Sequence, residues 1–551
     1  MRSFDLKSRL ISAVLAIVFC AGAVMLPAEN AKSVSAKENG SQYVEPNVRV
    51  GLYTKTSLIN TRRFSSLNVS QNGFDIGYAT NASREFNKLF SISNTSVVIL
   101  PQVNASIDLS SSDKDCSAGN GSIGAYSVIV GKHSSYDAAK ASAKSVGGFV
   151  AVVSGGYEVR VNPSQSYDAA KAASNGRPVA SPASGGITVV DSSTGKILFT
   201  FEDASRPFAL RDKNGGTVKI PVTRNSKTSR YAYFGFFTYS VSDNKLSMVN
   251  TLPLETYVKC VITNEIGYSA SDETVKVFSV LVRTFPQNRK HGSLGFDVCQ
   301  TTCCQAYYGS YRFDERNNKL VDATRGLICT INGKPTRTVY HVSSGNATCS
   351  SVAAWGGNVS YLTSVQLEEK KPYVWDHEYT KEEFYKFIKS RDAFSKLKDS
   401  DLTMKITATD PHGSDYITRL VVTDGKGNSV EIKSSEKVRM ACGYQSANFK
   451  IGYVSEMKVL TSDGTVETKQ VSGVMTENGY EAIEGFGDTD YKLPSGASLS
   501  ADKLIVNGQG RGHGVGISKQ GSETLASQGY NFKYILSFFY KGTELGYATQ
   551  K

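Results

Sequence analysis

Glu265 is a carboxylate that the local sequence pattern could place in a reaction site. It follows a run, residues 254–262, in which apolar side chains recur at helical spacing, and Gly267 marks the end of that helix. A second periodic run, residues 275–284, stops before Pro286. The spacing predicts two helices that bracket Glu265. By residue type alone, a carboxylate at the end of an amphipathic helix is more often a solvated surface group than a catalytic one.

A second set of chemically active side chains follows the two predicted helices. It consists of His291, Cys299, Cys303 and Cys304. Imidazole and thiolate groups are the ligands that zinc prefers in a tetrahedral site. We expect strain if the adjacent Cys303 and Cys304 both point at one metal. A disulfide from either of them to Cys299 or Cys349 is the competing interpretation, and the spacing does not decide between zinc and disulfides.

A glycine-rich stretch near the C-terminus is the third candidate. Glycine occupies alternate positions from Gly508 to Gly516. Such a stretch adopts tight conformations, which predicts close approach of a substrate to His513 and Ser518. The lysine is misplaced for a phosphate-binding loop, and no strand-to-helix spacing of that kind is present.

These segments belong to a series of blocks that resembles the stage II sporulation protein D (SpoIID/LytB) family in order and spacing. The first blocks are Asn-Thr-Leu-Pro-Leu-Glu-Thr-Tyr at 250–257 and Asn-Glu-Ile at 264–266, followed by Lys276 and Arg283-Thr284. The series continues through residues 248–545, over half the chain, with further blocks at 297–307, 323–326, 332–335, 340–345, 355–362 and 510–521.

The resemblance implies a lytic transglycosylase that acts on peptidoglycan strands stripped of their peptide stems. In such an enzyme one glutamate, here Glu265, protonates the leaving glycosidic oxygen and then takes a proton from the 6-hydroxyl of the same sugar. The sugar closes into a 1,6-anhydro ring. An apolar cleft would supply the raised pKa that this acid needs. We expect Arg283, His513, Ser518 and Gln520 to orient the substrate.

The family also implies a zinc ion bound by His291, Cys299 and Cys304. Cys303 stands where the family has a histidine, which keeps a possible ligand but changes the charge of the site. Phe278 stands where the family often has glutamine, and Arg511 where it has an aromatic residue. The substitution at Phe278 puts a polar contact of the family in doubt.

Two other functions are compatible with the resemblance. The first is a non-catalytic protein that binds glycan and enhances a cell-wall amidase. The second is a structural protein that assembles with septal membrane proteins during engulfment. Retention of Glu265 favours the enzyme, because a binding protein would tolerate Glu265→Gln.

Composition and the N-terminus indicate an exported protein. Residues 1–36 combine an early basic group, an apolar run from Leu10 to Leu26 and a Val-Ser-Ala cleavage pattern, so they are either a cleaved signal peptide or a retained membrane anchor. The net charge of +12 is spread along the chain. It indicates either contact with anionic wall polymers or plain solubility, and no nucleic-acid module is visible.

The rest of the chain predicts an α+β protein. We expect a linker at 37–46, a β-rich segment at 47–120, a small module at 121–190, a second β-rich segment at 191–247 and a SpoIID-type domain at 248–551. Within the module, Tyr126 and its neighbours return at Tyr157, 31 residues later. The predicted order, β-α-β-β-α-β, resembles the glycan-binding SPOR module, and an α/β spacer without a ligand is the alternative. The aromatic run at 230–239 is assigned to the core.

Overall fold

The computed structural model describes residues 43–56, 60–80, 84–224, 227–301, 303–454, 456–460, 466–470, 473–476, 479–482 and 503–549. The predicted signal or anchor at 1–36 and most of the predicted linker lie outside these residues. None of the helices in the described ranges has the length and apolar character needed to cross a membrane.

Strands dominate the first half of the described chain, as the alternating sequence predicted. The elements in chain order are β1 (Asn47–Tyr53), β2 (Ser66–Val69), β3 (Phe74–Ala79), β4 (Phe86–Ile92), β5 (Ser96–Pro101), β6 (Ala105–Ile107), β7 (Cys116–Ala118), β8 (Tyr126–His133), α1 (Tyr136–Ser145), β9 (Phe149–Val153), β10 (Gly156–Ser164), α2 (Tyr167–Ala172), β11 (Val179–Ala180), β12 (Ile187–Asp191), β13 (Ile197–Phe201), β14 (Phe208–Asp212), β15 (Val218–Arg224), β16 (Lys227–Tyr233), β17 (Phe236–Ser242) and β18 (Lys245–Pro253).

Helices and short sheets alternate in the second half. The elements are α3 (Leu254–Ile266), α4 (Asp272–Thr284), β19 (Val298–Cys299), α5 (Glu315–Asp322), β20 (Leu327–Ile331), β21 (Lys334–Pro335), β22 (Tyr340–His341), α6 (Ser351–Trp355), β23 (Val374–Tyr379), α7 (Lys381–Lys389), β24 (Leu402–Thr409), β25 (Ile417–Asp424), β26 (Ser429–Lys433), α8 (Ser435–Cys442), β27 (Phe449–Val454), β28 (Glu456–Leu460), β29 (Val466–Gln470), β30 (Gly473–Thr476), β31 (Gly479–Ala482), β32 (Lys503–Gln509), β33 (Ile517–Ser518), α9 (Lys519–Ser527), α10 (Phe532–Phe539) and β34 (Glu544–Tyr547).

Two large sheets organise the first half. One has seven strands in the order β19-β1-β18-β17-β14-β3-β4, and the other has ten in the order β11-β8-β10-β9-β13-β12-β5-β2-β15-β16. One buried cluster contains apolar side chains of both sheets, such as Val50 and Val189, together with side chains of α3 and α4. The two sheets and the helices that carry Glu265 therefore share a hydrophobic core, and the molecule is a mixed α+β protein with strand-rich sheets.

The internal repeat folds as β8-α1-β9-β10-α2-β11, and its last strand is Val179–Ala180. We expected that strand at residues 187–190, but β12 instead pairs with β5 and β13. In addition, β9 pairs in parallel with β13, so the repeat continues into the ten-stranded sheet. The likeness of the repeat to a SPOR module stays a prediction.

The aromatic run at 230–239 is two strands, β16 and β17, separated at Gly235. Gly235 has φ +84°, and a Cβ there would lie 2.1 Å from the carbonyl oxygen of Thr251, so a side chain at this position would clash with β18. The predicted assignment of this run to the core holds for Tyr233, Phe237 and Tyr239, which are buried.

The predicted helix pair around Glu265 is present as α3 and α4. Helix α3 ends at Ile266, and the Gly267 N–H donates to the carbonyl of Thr263 at 3.0 Å. It packs against β1, β18, α4 and α5, whereas α4 packs against β20, α9 and α10. These contacts hold the end of α3 between the N-terminal sheets and the C-terminal helices.

Candidate functional site

Glu265 lies in the last turn of α3 with a half-buried side chain. The Ala306 N–H donates to its Oε1 at 2.7 Å, and the hydroxyl of Tyr340 also donates to it. Burial raises the pKa of the Glu265 carboxyl, and the two hydrogen bonds oppose that rise because they stabilise the charged form. The net result is a raised pKa. This carboxyl is more readily protonated near neutral pH than an exposed glutamate.

A chain of hydrogen bonds determines where the Tyr340 proton points. Tyr257 Oη donates to Gln305 Oε1 at 2.7 Å, and Gln305 Nε2 donates to Tyr340 Oη at 3.3 Å. Because Tyr340 accepts from Gln305, its own hydrogen is available to Glu265. The residues of this chain come from three segments, namely α3, the 303–306 turn and β22.

Phe278 of α4 forms an apolar wall beside this chain. Its side chain is buried, and its ring centre lies 5.2 Å from that of Tyr340 in an edge-on arrangement. The sequence put a polar contact in doubt at this position, and an aromatic contact occupies it. The phenyl ring packs on Tyr340, a hydrogen-bond partner of Glu265, and offers no hydrogen bond of its own.

The glycine-rich stretch joins the site through β33, which pairs in parallel with β22. Gly514 and Gly516 have φ +77° and +75°, and a Cβ on them would lie 2.3 Å from Tyr416 Cζ and 2.2 Å from the Val339 carbonyl oxygen. We expected these glycines to admit substrate. In the structure they admit neighbouring parts of the protein.

His513 is half-buried and connects the stretch to Tyr340. The Val515 N–H donates to its Nδ1 at 3.0 Å, and the imidazole also hydrogen-bonds to the backbone of Tyr340. Burial lowers the pKa of His513 to about 4. The imidazole is therefore neutral at neutral pH. Its ring centre lies 5.4 Å from that of Trp355, so an aromatic surface adjoins it.

Ser518 and Gln520 lie two residues apart at the start of α9. Ser518 is fully buried, donates to Glu369 and accepts from the Gly521 N–H at 3.0 Å, so it caps α9. This position gives Ser518 a structural role. The side chain of Gln520 is half-exposed. The backbone N–H of Gln520 donates to the Val342 carbonyl beside β22 at 3.0 Å.

Arg283 is buried and paired within the protein, so it does not have the predicted role in orienting substrate. Its side chain is 0% exposed, and its guanidinium forms a bidentate ion pair with Glu255 at 2.9 and 2.8 Å. Remaining donors bond Thr324 and the carbonyls of Val321 and Leu327. Arg283 holds α4 to α3 and to the turn before β20, and we do not carry it into the proposed substrate site.

The predicted metal ligands do come together. One donor atom from each of His291, Cys299, Cys303 and Cys304 lies within 4.8 Å of every other. In a tetrahedral zinc site the donor atoms are about 3.3–3.8 Å apart, and Cys303 Sγ lies 3.5 Å from His291 Nε2. A hydrogen bond from Cys304 lowers the pKa of the Cys299 thiol, which favours the thiolate that a metal needs. These residues fit zinc.

Cys303 and Cys304 both bring their sulfur atoms into the cluster, and the strain expected of a metal bound by both stays a prediction. A turn closed by the Cys304 N–H and the Thr301 carbonyl, at 2.9 Å, directs both sulfurs to the same side. All eight cysteines from Cys116 onward are free thiols, so none of the alternative disulfides is present. The turn leads directly into Gln305 and Ala306, which hydrogen-bond the Tyr340–Glu265 pair.

The site residues predicted from the sequence do not include four uncharged residues around Glu265. Tyr257, Gln305, Ala306 and Tyr340 all lie inside the motif blocks at 250–257, 297–307 and 340–345. None of the four carries a formal charge or a strong metal ligand, so residue type alone does not mark them as candidates. The signal that could have found them is a tyrosine or glutamine within a motif block on a predicted buried face.

Comparison with known proteins gives matches over the part of the chain that carries Glu265. The chain is 27% identical over 297 residues to the amidase enhancer of Bacillus subtilis, a match that covers 52% of this chain and 40% of that protein. It is 24% identical over 320 residues to an uncharacterized protein of Brachyspira hyodysenteriae, covering 57% and 72%. It is 23% identical over 348 residues to stage II sporulation protein D of B. subtilis, covering 60% and 83%.

A family model described as stage II sporulation protein matches residues 242–330, the segment that holds α3, α4 and the four predicted metal ligands. The chain spans less than half the length of the amidase enhancer. The resemblance predicted from the ordered motif blocks is confirmed by this family model over residues 242–330 and by the relatives named stage II sporulation protein D.

Proposed function

We propose that this protein is a peptidoglycan lytic transglycosylase that cleaves stem-free glycan strands and leaves 1,6-anhydro-N-acetylmuramic acid ends. The SpoIID domain and the relatives named stage II sporulation protein D support a role in cell-wall remodelling during spore formation, in particular at the septum and during engulfment. The catalytic group in this proposal is Glu265.

The observation that carries the proposal is the environment of Glu265. Burial raises its pKa, and its hydrogen-bond partners are the Ala306 N–H and the Tyr340 hydroxyl. Within the described ranges, no second carboxylate hydrogen-bonds to Glu265 or is among the groups that shift its pKa. A hydrolase of the usual kind needs two carboxylates on either side of the scissile bond. A single protonatable carboxyl suits a transglycosylase better.

The reaction balances with that one group. Protonated Glu265 gives its proton to the glycosidic oxygen as the bond from that oxygen to C1 breaks. The 6-hydroxyl of the same sugar then attacks C1 and gives its proton to the Glu265 carboxylate, which restores the acid. Because the nucleophile is part of the substrate, the second step is intramolecular, with an effective molarity that reaches about 10⁵ M in well-oriented systems.

Neighbouring side chains assist this cycle in distinct ways. The Tyr340 hydroxyl, oriented by Gln305, donates to Glu265 when the carboxyl is charged and so stabilises it between the two proton transfers. The Phe278 ring packs edge-on against Tyr340 and keeps water from that side of the Tyr340 ring. His513, which is neutral, and the half-exposed Gln520 are the proposed hydrogen-bonding groups for the glycan.

His291, Cys299, Cys303 and Cys304 are the proposed ligands of a zinc ion. In a site of four protein ligands zinc acts as a structural crosslink rather than as a Lewis acid for substrate. The ligand-bearing turn continues into Gln305 and Ala306, and holding that turn in place positions the N–H that bonds Glu265.

We place the protein outside the cytoplasm, anchored to the membrane by residues 1–36 or associated with the wall after their cleavage. The partners in this proposal are glycan strands, a cell-wall amidase that strips the stems beforehand, and septal membrane proteins. The amidase enhancer among the relatives supports the connection to an amidase.

Cleavage of purified glycan strands in H₂¹⁸O tests the enzyme class. A hydrolase adds one oxygen of water to each new reducing end, whereas a transglycosylase adds none. We expect strands that shorten without ¹⁸O and with end groups lighter by one water. Incorporation of ¹⁸O at new ends would replace the proposal by hydrolysis.

The second candidate is a glycan-binding protein that enhances an amidase without cleaving glycan. It is favoured by the match to a protein named amidase enhancer. Stem release by a purified wall amidase, measured with and without this protein, distinguishes the two functions. Stimulation by wild type and by Glu265→Gln to the same extent, together with intact glycan strands, would establish the second candidate.

A further inference from the structure

Two tyrosine rings are exposed close to Glu265 and have no part in the site described above. Tyr268 is 54% exposed and lies three residues after Glu265, so its Cα is at most about 11 Å from that of Glu265. Tyr311 is 63% exposed and lies five residues after Ala306, which bonds Glu265. Large apolar rings that face solvent beside a reactive carboxyl indicate a binding surface.

Both rings are carried by backbone that is held in place. Arg316 donates to the carbonyls of Tyr268 and Ala270 at 3.4 and 2.9 Å. The Tyr311 ring packs edge-on against Tyr231 with ring centres 5.5 Å apart, and the Ser310 N–H bonds the Ala232 carbonyl at 2.8 Å. These contacts fix the rings in position while they leave much of their surface in solvent.

An arginine lies beside the Tyr268 ring and next to Tyr311 in the sequence. The guanidinium carbon of Arg312 lies 5.9 Å from the centre of the Tyr268 ring, and Arg312 follows Tyr311 directly. Its side chain is exposed. The neighbouring cations Arg316 and Lys319 form ion pairs with Asp272 and Glu315. No carboxylate in the described ranges forms an ion pair with Arg312, so its charge is available to a ligand.

We propose that Tyr268, Tyr311 and Arg312 form a saccharide subsite that recognises the free lactyl carboxylate of a stem-free muramic acid residue. This inference rests on the proposed glycan substrate. The tyrosine rings supply stacking surfaces for the apolar faces of pyranose rings. When the peptide stem is present, the lactyl group is an uncharged amide, and when the stem has been removed it is a carboxylate. The Arg312 guanidinium binds that carboxylate through paired charged hydrogen bonds.

The test measures binding in the Glu265→Gln background, where no cleavage complicates the result. The probes are stem-free glycan oligosaccharides and the same oligosaccharides with their lactyl carboxylates converted to methyl amides. Isothermal titration calorimetry gives both dissociation constants for each variant. Arg312→Gln removes the charge, Tyr268→Ala removes a ring, and Lys319→Gln is the matched control because it removes one exposed positive charge from α5.

We expect Arg312→Gln to weaken binding of the carboxylate form about tenfold and to leave binding of the amide form unchanged. Tyr268→Ala weakens binding of both forms, because stacking does not depend on the lactyl charge. Lys319→Gln changes neither. Equal effects of Arg312→Gln on the two probes, or no effect of Tyr268→Ala on either, would overturn the proposal.

These outcomes are separate from the test of cleavage. If wild type leaves glycan intact while Arg312→Gln weakens binding of the carboxylate probe alone, the transglycosylase proposal fails and the subsite stands. If wild type forms 1,6-anhydro ends while Arg312→Gln binds both probes like its parent, the subsite fails and the transglycosylase stands.

Discussion

At the scale of single residues, two opposing effects set the protonation of Glu265. Burial favours the neutral acid, whereas the Ala306 N–H and the Tyr340 hydroxyl favour the carboxylate. A group that must first give and then take a proton works best when its pKa lies near the working pH. The balance between these effects is therefore open to a direct test.

Tyr340→Phe removes the hydroxyl that stabilises the Glu265 carboxylate, so we expect the pKa of Glu265 to rise further. The reaction starts from protonated Glu265. Because a higher pKa keeps Glu265 protonated to higher pH, the alkaline limb of the kcat/KM profile moves to higher pH. The measurement is the pH dependence of strand cleavage. Tyr530→Phe on the exposed stacked pair with Tyr534 is the control. A limb that stays in place or moves to lower pH would contradict this description.

Arg283→Met tests whether Arg283 is structural. It leaves the Glu255 carboxylate buried without its partner, and we expect the free energy of unfolding to fall by about 3–5 kcal/mol. Urea denaturation followed by circular dichroism measures the change. Arg419→Met breaks an exposed ion pair with Glu431, so less than about 1 kcal/mol is expected. Comparable losses in the two variants would rule out the structural role.

The sequence identifies Glu265 through its motif block, but it does not reveal what surrounds that carboxyl. The groups that hydrogen-bond it come from positions 306 and 340, and only the tertiary fold brings them to Glu265. Arg283 shows the opposite failure. Its place in a motif block suggested a substrate contact, whereas its burial and its ion pair with Glu255 could not be read from spacing.

At the scale of elements, the four predicted metal ligands lie around the turn between β19 and the segment that bonds Glu265. His291 lies in the loop after α4, Cys299 in β19, and Cys303 and Cys304 in the turn itself. A metal here would crosslink segments that are otherwise connected by short irregular stretches, so zinc binding and folding of this region should be linked.

We expect the purified exported part to contain about one zinc ion per chain by inductively coupled plasma mass spectrometry. Cys299→Ser and Cys304→Ser should lose the metal, and chelation of wild type should lower its melting temperature. Cys116→Ser is the control, since Cys116 lies outside the cluster. A chain that is isolated without zinc and takes up none when it is added would contradict the assignment.

Local pattern predicts the helices of this region well. Apolar spacing and the stop signals give α3 and α4, and the Thr380 capping box predicts α7, which spans Lys381–Lys389. Strand partners are harder to predict, because pairing joins distant residues. Residues 187–190 were predicted to be a strand and lie in β12, but the neighbours of β12 are β5 and β13 rather than the repeat.

At the scale of the whole molecule, the repeat at 126–180 is part of the ten-stranded sheet. Strand β9 pairs with β13, and Arg160 of β10 forms an ion pair with Glu202 after β13. The Tyr136 ring of α1 stacks on Phe90 with ring centres 3.6 Å apart. The predicted boundary at 190 therefore does not coincide with a break in the sheet.

The two copies of the repeat supply a matched pair of variants. Tyr136 is 9% exposed, whereas its counterpart Tyr167 is 46% exposed. Tyr136→Ala should lower the free energy of unfolding by about 3 kcal/mol and shift a single transition that includes both large sheets. Tyr167→Ala should have little effect. Calorimetry that shows a separate early transition, which alone responds to Tyr136→Ala, would mean that the repeat unfolds as an independent unit.

The central claim is that Glu265 is the acid and base of a transglycosylase. The most direct measurement is mass spectrometry of stem-free glycan strands after incubation with the purified exported part, wild type beside Glu265→Gln. We predict 1,6-anhydro-N-acetylmuramic acid ends with wild type and none with Glu265→Gln, while both proteins bind the strands. Strands that are bound but never shortened by wild type, or that are shortened equally by both proteins, would contradict it.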